Sequence, residues 1–165
     1  MDVTPRNEPA LPGGPTAGTG TFLLLGFAAG FISVLVFHQA VIWLLNTAGL
    51  LPNPPFPMRP VPPLNVPQIY SFTFWGGVWG VVIAAIHRAR PGWNVVLVGL
   101  LVGVIGCVLV SFTVVAGLRG QPLMGGWDMS RWWRSILING AFGLGLGTGL
   151  LLLPFRQDRR NPGSA

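Results

Sequence analysis

The chain contains no lysine and only four acidic residues, and none of its long apolar runs holds a single acid. A proton-coupled carrier ordinarily needs a carboxylate within the membrane, and an ion pore needs a continuous polar lining, so both classes lack their usual chemistry here. Asp2, Glu8, Asp128 and Asp158 all fall in tails or loops, which leaves paired-carboxylate catalysis no buried constellation. The single cysteine, Cys107, excludes an intramolecular disulfide and any Cys-based metal site, and reads as a small core residue. The two histidines, His38 and His87, lie roughly 20 Å apart along the membrane normal by the helical rise, too far for a shared haem. No cofactor, no metal and no catalytic residue is expected.

Apolar residues make up 51% of the chain and charged ones 8%, too little polar surface for a soluble domain of this size, so the bilayer is the expected solvent. The net charge of +6 comes entirely from arginines scattered through loops and tails. That pattern argues against nucleic acid and for anionic lipid headgroups.

Four apolar runs predict an all-α integral membrane four-helix bundle, with spans at about 21–45, 69–86, 93–118 and 135–153. Residues 1–20 read as a flexible Pro, Gly and Thr-rich tail, 21–155 as the transmembrane domain and 156–165 as a basic tail. The first run is too long for the apolar core of a signal peptide. Arginines Arg6, Arg88, Arg90, Arg156, Arg159 and Arg160 flank one membrane face, and Arg59, Arg119, Arg131 and Arg134 the other. The excess favours both termini inside, leaving two large outer loops at 46–68 and 119–134.

Each span carries glycines one turn apart: Gly26 and Gly30, Gly76 and Gly80, Gly99 and Gly103, Gly143 and Gly147, with Gly145 and Gly149 in a second register. Such pairs let helix backbones approach closely in lipid, so these glycines are expected packing positions and not phosphate cradles. Aligning Gly26 and Gly30 with Gly99 and Gly103, and Gly76 with Gly140, suggests two tandem two-helix repeats related by an axis along the membrane normal.

Polar side chains in the spans cluster by depth toward one side. His38, Gln39, Ser71, Thr73, Ser111, Thr113 and Asn139 fall near the outer ends, while the inner half holds Ser33, Thr148 and glycines among aliphatics. These residues are expected to converge on a shallow outward-facing layer, since an unpartnered polar group in hydrocarbon is costly. His38 reads either as a ligand or proton acceptor there, or as a neutral imidazole bonded to a neighbouring helix, with Gln39 and Asn139 as interhelical glue.

The segment 51–67 holds eight prolines, which block helix and strand ladders and predict an extended path displaying Phe56, Met58 and Leu64. It reads as a cap over the bundle mouth or as a ridge offered to another protein. In the second loop Trp127, Trp132 and Trp133 alternate with Asp128, Arg131 and Arg134. That mixture suits an interfacial belt, or a site for an anionic lipid or a partner.

The strings Phe37-His38-Gln39, Asn65-Val66-Pro67 and Phe74-Trp75-Gly76-Gly77-Val78-Trp79-Gly80 resemble a group of small four-span bacterial inner-membrane proteins, chiefly over residues 26–86. The resemblance implies a bacterial source and brings no activity with it. The leading expectation is a non-catalytic accessory or assembly subunit. It would dock on a larger membrane complex or a second copy of itself through glycine-rich faces and outer loops, with lipids as further partners. The alternative is a small transporter or lipid-binding protein with a polar pocket around His38. A third is a lipid or quinone enzyme using His38 as acid and base.

Overall fold

Four helices dominate the computed structural model, which describes residues 16–62, 64–153 and 156–157: α1 (Thr19–Thr47), α2 (Gln68–Ala89), α3 (Val95–Leu118) and α4 (Met129–Leu152). Each is long and apolar enough to cross a membrane, which makes the chain an all-α, multi-pass membrane bundle. Two very short pairings accompany them. β1 (Thr16–Ala17) runs parallel to β4 (Arg156–Gln157), and β2 (Pro60–Val61) antiparallel to β3 (Val66–Pro67). Most of the expected tails, residues 1–15 and 158–165, lies outside the described residues, and Thr19 and Gly20 are already helical.

The helices pack as two hairpins, α1 with α2 and α3 with α4, joined where α1 meets α4. A Cβ added to Gly30 would strike the Gly76 carbonyl oxygen, and one added to Gly80 would strike that of Gly26. In the second hairpin Gly99 and Gly143 stand in the same reciprocal relation, and Gly103 faces the carbonyl oxygen of Asn139. Each glycine therefore aims a Cα hydrogen at a backbone oxygen of its partner helix, a contact worth about 0.5–1 kcal/mol. Close backbone approach gives these helices the van der Waals cohesion that lipid cannot drive hydrophobically.

The halves correspond residue by residue. Gly30 faces Gly76 and Gly80 as Gly103 faces Asn139 and Gly143. The equivalent of Gly76 is thus Asn139, which corrects the sequence alignment to Gly140 by one residue. That alignment matched glycine to glycine, whereas packing needs only the backbone carbonyl at this position.

Helix α1 contains a π-turn at Val34–His38, closed by the Gln39 N–H bonding the Val34 carbonyl. Buried positions run Phe22, Gly26, Gly30, Val34 in steps of four and then step five to Gln39. The extra residue turns Gln39 inward and leaves His38 half-buried. Helix α4 begins six residues before its expected start, because Asp128 caps it by accepting from the Ser130 N–H at 2.8 Å. Arg131, Trp132, Trp133 and Arg134 are consequently its first turns and not loop.

Candidate functional site

The two long connections, 48–67 and 119–128, lie on the same face of the bundle, opposite the termini and the tight α2–α3 connection. Buried glutamines build the first of them. Gln39, 1% exposed, accepts the Phe56 N–H on its Oε1 at 2.7 Å, and its Nε2 lies 3.2 Å from the His38 Nδ1. Gln68, 6% exposed, accepts from the Arg59 Nε at 2.6 Å, and its main-chain N–H donates to the Arg59 carbonyl at 2.9 Å. The Asn46 amide donates to Leu51, so the proline-rich segment is tied to both helices that carry it.

The expectation that proline excludes every strand ladder is corrected here. Val61 and Val66 pair, and Asn65, at φ 52°, helps turn the chain between them. The ladder stops after two residues because Pro60 and Pro67 have no N–H to extend it. Beneath the segment lies a cavity of about 130 Å³, its polar wall formed by Asn53, Arg59 and Gln68. His38 is not part of that wall; its ring packs on Phe72 with centroids 5.6 Å apart.

The second connection contains four successive left-handed residues, Met124, Gly125, Gly126 and Trp127. The Trp132 indole N–H donates to the Met124 carbonyl at 2.9 Å. Trp127 stacks on Trp132 at 6.1 Å and 15°, and Trp132 meets Phe112 edge to face at 5.0 Å. Hydrogen bonding to Ser130, aided by Arg131 and Arg134, holds the Asp128 carboxyl below the usual carboxylate range. The Arg131 to Asp128 ion pair, 3.6 Å and exposed, adds little. Arg134 binds the Ser130 carbonyl and hydroxyl and donates to the Leu50 carbonyl at 2.8 Å, tying the first connection to the start of α4.

The remaining polar residues do not share one layer through hydrogen bonds. Thr73 is buried, yet its hydroxyl bonds the Ile69 and Tyr70 carbonyls of its own helix. Thr113 bonds Leu109, and Asn139 bonds Ser135, again within one helix. Asn139 is therefore not interhelical glue: its amide reaches back one turn, the usual alternative for a short polar side chain in a helix. Ser71 and Ser111 are half-buried on α2 and α3. Sequence reasoning named Ser33 only as an inner-half polar residue and did not foresee that its hydroxyl donates to the Phe142 carbonyl at 2.6 Å, and it missed Gln68. A lone serine next to glycine-lined helices and a glutamine opening a span were the available signals.

The eight packing glycines are filled by the chain's own helices, so the expectation that these faces receive another protein is corrected. The loop face carries exposed aromatics of its own. Phe56 is 50% exposed and Trp127 73%, and both adopt a left-handed conformation, at φ 53° and 57°. Such a conformation costs a residue with a side chain about 1–2 kcal/mol. Among the described residues no three His, Cys, Asp or Glu side chains gather as metal donors. No family model, curated protein or solved structure matches the chain.

Proposed function

We propose that the protein is a small non-catalytic membrane subunit that presents its loop face to a larger membrane protein complex. The observation that carries this reading is the paired display of Phe56 and Trp127. Each is an exposed aromatic on a strained left-handed residue, and each is held by side chains from the bundle: Gln39 beneath one, Trp132 against the other. Strain of this kind clusters where a structure is shaped for binding. Met58 and Leu64 extend the exposed apolar surface along the proline-rich connection, outside the four helices.

The arginine excess beside the opposite face supports an orientation with both termini in the cytoplasm and the loop face outside. Together with the resemblance to small bacterial four-span proteins, it supports placement in a bacterial inner membrane. The complex is a membrane protein whose exposed end offers an apolar cleft rimmed by acceptors for Arg59 and Arg131.

Purification at native expression in mild detergent tests the reading. A membrane protein in fixed ratio to this chain is expected to co-purify, and to be lost from a Phe56→Ser, Trp127→Ser double variant whose melting temperature is unchanged. Recovery of the parent solely as a monomer overturns it.

A further inference from the structure

Because α1 and α4 form the central contact, α2 and α3 are held apart, and a groove of about 380 Å³ opens between them toward the bilayer. Ile86 lines it from α2, and Trp93, Asn94, Leu97, Leu101 and Val102 line it from the connection and α3. From Asn94 to Val102 is eight residue steps, about 12 Å of helix. One leaflet contributes about 15 Å of hydrocarbon. The groove therefore begins at the membrane surface and ends near the bilayer centre. Trp79 packs beside this inner end: a Cβ on Gly106 would lie 3.3 Å from that indole and 3.5 Å from Val102, which lines the groove.

Arg88 and Arg90 flank the mouth in the chain. Arg90 lies one turn beyond Ile86, its N–H bonded to the Ile86 carbonyl at 2.8 Å, and its side chain is exposed. The Trp93 N–H donates to the Arg90 carbonyl at 3.0 Å, folding the connection over the groove end. Asn94 uses its Oδ1 to accept from Val96 and Leu97, so its Nδ2 remains the donor at the same level. The segment 87–94, the last residues of α2 and the connection after it, contains Arg88 and Arg90 and no acid.

We propose that this groove is a binding site for one anionic phospholipid of the leaflet on the terminal side, independent of the docking face. One acyl chain fills the slot as far as Trp79. The indole of Trp93 lies at the ester level, and the phosphate sits beside Arg90 and the Asn94 amide. An apolar slot of single-leaflet depth beside a chain segment that carries two arginines and no acid suits a chain joined to a negative headgroup better than a free anion or a neutral lipid.

The test is native mass spectrometry of delipidated protein in detergent, titrated separately with phosphatidylglycerol and phosphatidylcholine of identical chains. The parent is expected to bind one phosphatidylglycerol saturably and more tightly than phosphatidylcholine. Leu97→Trp and Leu101→Trp, at positions 53% and 48% exposed, fill the slot without entering the core and should abolish that bound lipid. Arg90→Gln should keep the stoichiometry and narrow the headgroup preference about fivefold, the effect of one interfacial arginine. Equal binding of both lipids by the parent, or parental binding in a folded Leu101→Trp protein, overturns the proposal.

Discussion

The hydroxyl of Ser33 donates to the main-chain carbonyl of Phe142 at 2.6 Å, linking α1 to α4 across 109 positions of chain. It is buried where the two hairpins meet, and a Cβ on Gly145 would lie 2.7 Å from the same oxygen. A small donor is thus required on α1 and a glycine on α4. Ser33→Ala should cost about 0.6–2 kcal/mol, the range for bonds between membrane helices. Ser33→Leu should cost more, because the added bulk must displace α4. Thermal unfolding of the two variants in detergent distinguishes these outcomes.

The glycine contacts make a paired prediction. Gly30→Ala and Gly103→Ala each push a methyl group onto a partner carbonyl, and each should destabilise by about 1–3 kcal/mol, as overpacked sites do. The two losses should be similar because the positions are equivalent in the two hairpins. Gly20→Ala, with nothing near its Cβ, should be neutral or gain up to about 1 kcal/mol from helix propensity. Melting temperatures of the three proteins check this.

Gln39 anchors the proline-rich connection through a single acceptor. Gln39→Leu keeps the volume but strands the Phe56 N–H, at a cost of about 1–3 kcal/mol. Hydrogen exchange at Phe56 should accelerate at least about fivefold. Amides of the glycine-packed α1 segment should keep their protection.

Asp128 gives a pH dependence of known sign. Its carboxyl is depressed in the folded chain by Ser130, Arg131 and Arg134, so the stabilisation it supplies is complete above the unfolded carboxylate value of about 3.9. That contribution fades as the pH falls through the lower folded value. Exchange at the Ser130 amide should therefore rise on acidification below about pH 4. In Asp128→Asn, which caps without titrating, the rise should vanish.

Much of the architecture was legible because hydrophobic length and glycine spacing are local signals. All four spans, the hairpin pairing implied by Gly26, Gly30, Gly76 and Gly80, and the matching arrangement in the second half follow from them. The loop face was legible only in outline. The inward turn of Gln39 depends on one residue inserted by a π-turn, which a fixed helical period does not anticipate. The early start of α4 was masked by arginines and tryptophans that resemble a loop, although Asp128 two residues before Ser130 is a capping signal. Asn139 and Thr113 satisfied themselves within their own helices, so grouping polar residues by depth did not identify which ones meet.

A photo-crosslinking residue placed in intact membranes at Met58, on the loop face, and separately at Leu24, on an apolar face of α1, measures the docking reading directly. The Met58 position should give one discrete adduct with a single membrane protein, and Leu24 none. Adducts at Leu24 with no product at Met58 would contradict the assignment of the loop face as the docking surface.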